Sequence, residues 1–282
     1  MFLGIQLQIF KYYLCLESEI LEAQMRENVI QLRDVPSIRK NVDREEWQAR
    51  VDLAAAYRLA HEYRWADSIY NHISMRIPND PNFFLIKAHE LLYNEVCASN
   101  LVKVDMRRED VDESLHVNRP GFTLHGGLLI DRPDINCCYH THIASCIAVA
   151  NQKEGLLPVS QTAIRFSGDI GYHDYEGITE NLDERERIAN NLGNKNVLLM
   201  RNHGVVTCGK SVRDAFVRMR DIADACDLQL RLQAAGKEFI LPSEDVLKTY
   251  EKQRVTHDSG RGSADWPGFL RRLDQIDPTY RE

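Results

Sequence analysis

Two histidines one residue apart stand in "CCYHTHIASC", residues 137–146, among three of the chain's seven cysteines. Imidazole nitrogens and thiolates both bind divalent cations well, so the stretch raises the question of which would do so. On a strand, residues i and i+2 share a face, so His140 and His142 converge while Thr141 points away. Catalytic zinc takes three protein ligands and keeps one position open, so a pair alone is not a site. The HxH spacing is also common by chance, and a core histidine beside a surface hydrogen-bonder fits it equally. The sulfurs add little. Cys137 and Cys138 are adjacent and face opposite ways on a strand, and Cys138 has no CxxC partner. Small buried hydrophobes is the role that suits these cysteines. Among ten histidines, His203 stands out as a third donor. It follows the apolar run of "NVLLMRNHG", and Gly204 after it lets backbone and ligand approach closely. Ends of strands are where α/β proteins gather their sites. A loop histidine bonded to backbone fits the same position, and composition leaves both readings open.

The elements that must position these residues follow from periodicity. "DREEWQARVDLAAAYRLAHEY" predicts a helix with Asp43 as N-cap and Trp47, Val51, Ala55 and Leu59 on one face. "YNHISMRIP", "NFFLIKAH" and "LLYNEV" predict short strands broken by Pro78 and polar turns. "GFTLHGGLLIDRPD" predicts a helix that stops before Pro133. "INCCYHTH" predicts a strand, "IASCIAVANQ" the helix after it, and "NVLLM" a buried strand. "SVRDAFVRMRDIADACDLQLRLQAAG" is the clearest helix, capped at Ser211 and ended at Gly236. Residues 256–268 are rich in Gly and Ser and predict a mobile linker. "FLRRLDQIDPTYRE" predicts an arm that docks on the body. The division expected is an N-terminal extension over 1–43, one domain over 44–240, and a linker with docking arm over 241–282.

The chain has 282 residues, 44% hydrophobic and 27% charged, which is an ordinary globular balance. Its formal charge of −7 gives no general attraction to nucleic acid or an anionic membrane. An odd number of scattered cysteines predicts free thiols in a reducing cytoplasm rather than a disulfide framework. The opening stretch carries Gln6, Gln8 and Lys11 and is too short and polar to span a bilayer. It also lacks the features of a signal peptide. Two readings fit residues 1–24: a helix packed on the body, or a segment ahead of a true start at Met25.

The motifs taken together resemble the class II aldolase and adducin head-domain family. "CCYHTH" is followed, sixty-one residues after His142, by "MRNHGVV" and then the long capped helix. "IYNHISMRIP", "FFLIKAHELLYNEVCASNLVKVD", "VNRPGFTLHGGLLIDRPDINC" and "GYHDYEGI" occur in the matching order. The similarity covers roughly residues 44–237 and is strongest to the adducin-like branch with its small bacterial relatives. The resemblance implies a three-layer α/β/α sandwich around a mostly antiparallel, nine-stranded sheet. It implies homo-oligomers, commonly tetramers with sites at subunit interfaces. It implies a divalent metal, zinc or else manganese, held by His140, His142 and His203. The chemistry implied is that of a lyase on a small hydroxy-carbonyl substrate, through a metal-stabilised enediolate. Aldol cleavage, epimerisation and dehydration all share that intermediate.

Several positions depart from the family pattern. Gly121 stands where the aldolases carry an acid/base glutamate, nineteen residues before the first metal histidine. Arg119 and Pro120 replace the neighbouring phosphate-binding serines, and Glu90 replaces a glycine of a second phosphate loop. "YNHIS" keeps Asn71 and Ser74 as candidate substrate-binding residues but places Tyr70 where a small residue is expected. These changes argue against a phosphorylated ketose, since an anionic side chain in a phosphate cradle is unfavourable. For proton transfer His173 is the favoured candidate, with His125, Tyr172 and Tyr280 as others. A structural pairing of His173 with Asp174 fits as well, and for His125 a core role is expected. Arg119 is a candidate for holding a substrate carboxylate bidentately, and a solvated surface charge fits the same position. The alternative reading is a non-catalytic oligomeric scaffold like the head of adducin, a cytoskeletal protein joining spectrin and actin. This chain ends without adducin's basic tail and keeps its HTH, which favours the enzyme.

Overall fold

The computed structural model describes residues 35–108, 110–179, 182–257 and 261–282. The N-terminal stretch weighed above for residues 1–24 lies outside the described residues. The first helix, α1 (Arg44–Glu62), starts where its cap requires: Asp43 accepts the amide of Glu46 at 2.7 Å. Strands β1 (His72–Ile77) and β2 (Asp80–Lys87) form a hairpin, with β3 (Leu101–Asp105) beside β2. Helix α2 (Arg119–Asp131) is capped by Asn118, which accepts the amide of Gly121, and has Pro120 in its first turn. Then come β4 (Cys137–Thr141), the short helices α3 (Ala144–Ala150) and α4 (Gln161–Ile164), β5 (Ile170–His173) and α5 (Glu184–Leu192). The last strands are β6 (Val197–Met200) and β7 (Gly204–Gly209), followed by helices α6 (Val212–Ala234), α7 (Glu244–His257) and α8 (Arg261–Ile276).

The strands form one sheet in the order β3-β2-β1-β4-β7-β6-β5. Every neighbouring pair is antiparallel except β5 and β6. Strand parity divides the core in two. Ile73, Tyr139, Leu199 and Val205 pack with α1, α3, α6 and α8 on one face. Phe84, Cys138, Leu198 and Val206 pack with α2 and α5 on the other. This is the α/β/α sandwich with a mostly antiparallel sheet.

Three expectations differ from the described fold. The sheet has seven strands among the described residues, not nine. "LLYNEV" is not a strand: Tyr93–Glu95 coils into a 3-10 turn, with the Leu92 amide donating to the Glu95 carboxylate at 2.9 Å. The third strand is instead "LVKVD". Part of the supposed linker at 256–268 belongs to α8, because Trp266 has a core to bury in.

Candidate metal centre

Two neighbouring central strands, β4 and β7, bring the histidines together at one end of the sheet. His140 lies near the end of β4, His142 just past it, and His203 immediately before β7. Their candidate ligand nitrogens all lie within 4.8 Å of one another. Ring centroids are 4.9–5.1 Å apart for the three pairs. The turn into β7 must be tight to achieve this. A Cβ on Gly204 would stand 2.5 Å from the Thr141 carbonyl and about 3 Å from the rings of His140 and His142.

Each of the two strand histidines has one nitrogen already assigned. His140 Nδ1–H donates to the Val205 carbonyl at 3.1 Å, and His142 Nδ1–H donates to Asp67 Oδ2 at 3.0 Å. Both bonds leave Nε2 unprotonated and available, the outer-shell arrangement typical of metal-binding histidines. His142 Nε2 is buried with no hydrogen-bond partner, the kind of orphan that a cation would satisfy. Burial, reinforced by the neighbouring histidines, holds His140 well below the usual imidazole range and His203 at about 4. His140 and His203 are therefore neutral at pH 7 and ready to ligate. The residues fit a divalent cation.

A cavity of about 420 Å³ opens over these histidines, lined also by Tyr70, Asn71, His72, Asn118 and Tyr175. Asn71 is buried at its edge in the left-handed backbone region (φ 65°), and neither polar atom of its amide has a partner. Among the described lining residues there is no lysine or arginine.

The other candidates lie elsewhere. Ser74 is fully buried and bonds to His125 instead of reaching the cavity. Arg119 is half exposed and faces Asp110 at 3.4 Å, outside the lining. His173 is buried with both nitrogens engaged, by Asn191 at 2.8 Å and Glu184 at 3.3 Å. It lines a separate small recess beside His203. Its expected pairing with Asp174 is not seen, because Asp174 faces Arg201 at 3.2 Å. Tyr280 is buried against Asp274 in the far layer. Among the lining residues that sequence reasoning passed over, His72 is the one that stands beside the metal ligands. It sat in plain view in "YNHIS", but only strand pairing sets it directly opposite His140.

Residues 51–230 match the family model described as the Class II Aldolase and Adducin N-terminal domain. The chain belongs to that family. It is 42% identical to an aldolase II superfamily protein from Pseudomonas syringae, whose crystal structure superposes with a TM-score of 0.80 over 88% of this chain and 100% of that one. It is 44% identical over 231 residues to alpha-adducin of Mus musculus, covering 80% of this chain and 31% of adducin. An L-fuculose 1-phosphate aldolase from Glaciozyma antarctica shares the fold at 21% identity, with a TM-score of 0.73 over 90% of this chain and 99% of that one.

Proposed function

We propose that the protein is a divalent-metal-dependent lyase of the aldolase kind, acting on a small hydroxy-carbonyl compound, with His140, His142 and His203 as the metal's ligands. The observation that carries this is the convergence of three imidazoles at a cavity floor, one with a buried, unpartnered Nε2. Zinc or manganese there would supply Lewis acidity to a chelating substrate. The protein's own residues prepare that site. Asp67 and the Val205 carbonyl fix the histidine tautomers. The free amide of Asn71 offers a donor and an acceptor to substrate oxygens. The absence of cationic side chains among the described lining residues supports a substrate without phosphate. His173 serves as a brace for the strand end before His203, since its carbonyl accepts the amide of Arg201 at 2.8 Å.

The same reading makes the protein a cytoplasmic homo-oligomer, with a neighbouring copy completing the cavity mouth. Tyr70, Tyr175 and Ile178 support it, for they line the cavity yet are 52%, 54% and 73% exposed. No described helix is long and apolar enough to cross a membrane.

Elemental analysis of protein purified without added metal tests the site. The wild type should carry close to one zinc or manganese per chain and a His140→Ala/His142→Ala variant almost none. Equal metal in both sinks the reading. The identity to alpha-adducin favours a second reading, a non-catalytic oligomer. A metal-loaded protein that turns over no hydroxy-carbonyl compound in cleavage, epimerisation and dehydration assays would decide for it.

A further inference from the structure

Behind the cavity wall lies a chain of three polar side chains that the metal site does not use. His72 Nδ1 is 2.8 Å from His125 Nε2, and His125 Nδ1 is 2.6 Å from Ser74 Oγ. The two rings meet edge to face, with centroids 4.5 Å apart. Ser74 and His125 are fully buried, and His72 is 5% exposed. Of the three, only His72 lines the cavity, with its ring centroid 5.1 Å from that of His140.

The direction of the hydrogens follows from Ser74. Among the described residues its hydroxyl has one hydrogen-bond partner, His125 Nδ1. A buried hydroxyl whose hydrogen meets no acceptor is costly, so Ser74 O–H donates into Nδ1. His125 must then carry its proton on Nε2, from which it donates to His72 Nδ1. His72 in turn carries its proton on Nε2. Nδ1 is taken by His125, and the Cγ–Cδ2 edge faces Gly121, where a Cβ would come within 2.9 Å of Cδ2. The edge left for the cavity holds the Nε2–H.

We infer that His72 is a substrate-binding residue. Its Nε2–H, fixed by Ser74 through His125, donates a hydrogen bond to an oxygen of the ligand bound beside His140. Ser74 and His125 are positioning residues. The donor is neutral, pre-oriented and largely removed from water, which favours an oxygen that gains negative charge over one that starts with a full phosphate charge. The ligand class is accordingly a small carbonyl, hydroxamate or 2-hydroxy acid oxygen donor. This inference rests on the metal reading for its ligand but not for its tautomer.

Two measurements test it separately. Long-range proton–nitrogen correlation spectra of metal-free protein at neutral pH, with His72→Phe identifying the signal, should show the His72 proton on Nε2. A proton on Nδ1, or a doubly protonated ring, overturns the inference. In Ser74→Ala the ring stays in place but loses its lock, so the spectrum should become a mixture of tautomers. An unchanged tautomer removes Ser74 from the scheme. Calorimetric titration of zinc-loaded protein with acetohydroxamate should show affinity about tenfold weaker in His72→Phe, at unchanged zinc content. Equal affinity overturns the binding role. A wild type that takes up no zinc refutes the metal site alone, and the spectrum then decides this inference.

Discussion

A methyl group at residue 121 would stand 2.9 Å from Cδ2 of His72 and 3.2 Å from Cδ1 of Ile86. Two effects compete in Gly121→Ala. Alanine stabilises a helix by up to about 1 kcal/mol relative to glycine. Overpacking against a ring held by His125 costs about 1–3 kcal/mol. The second should win, because the ring has a hydrogen bond to lose by moving. Denaturant titration is expected to show a net loss of about 1–2 kcal/mol, and an unchanged or higher stability would show that the ring yields freely. The same contact explains what was legible at this scale. His140, His142 and His203 could be picked out because strand parity, an apolar run and an ordered set of motifs converge on them. Ser74 and His125 were singled out for other roles and His72 was not, and the link among the three was hidden because a strand and a helix 51–53 residues apart in sequence supply it. Gly121 read as a missing carboxylate; in the fold it is the space an imidazole occupies.

Elements were legible where local chemistry and packing agree. Helix α6 begins at Ser211, whose hydroxyl accepts the Asp214 amide at 3.3 Å and donates to its carboxylate at 2.7 Å. Phe216, Met219, Ala223 and Cys226 of its apolar stripe are all buried. The helix backs the site strand directly, for Thr141 Oγ1 contacts Met219 Sδ at 3.5 Å. Ser211→Ala removes the cap and should cost about 1 kcal/mol, or roughly 2–4 °C in Tm for a chain of this size. A thermal melt with no shift would mean that packing alone sets the helix start. Where local chemistry and packing disagree, packing decides. "LLYNEV" has strand-like alternation, yet Tyr93 is buried against Tyr57 with ring centroids 5.0 Å apart, and a turn reaches that spot. "LVKVD" is short and ends in charge, but pairing with β2 along its whole length makes it a strand. Glycine and serine near 260 suggested a linker, yet α8 begins at Arg261 and buries its Trp266.

At the scale of the whole molecule, the C-terminal segment is built into the same core as α1 and α6. Trp266, Leu273 and Tyr280 are at most 3% exposed and belong to that cluster. Phe216 of α6 meets Trp266 and Phe269 edge to face, with centroids 5.7 and 5.0 Å away. Trp266 Nε1–H donates to Asp52 at 3.0 Å, and Arg58 pairs with Asp277 at 2.8 Å. The final residues also satisfy the backbone of another segment, for Ala98 N–H donates to the Tyr280 carbonyl and Ser99 N–H to that of Glu282. Removing residues 261–282 would forfeit roughly 2 kcal/mol for each large apolar side chain unburied. Three such losses, with two backbone donors left bare, are comparable to the about 5–15 kcal/mol that holds a typical domain together. The truncated chain is therefore expected to fail to fold cooperatively. Leu273→Ala is the milder probe, expected to cost about 2–5 kcal/mol while leaving a folded protein. None of these residues lines the cavity, so its metal content per folded chain should equal the wild type's. A truncation that melts like the wild type would make the segment a removable arm. A Leu273→Ala protein that stays folded but loses its metal would show that the far layer holds the three histidines in register.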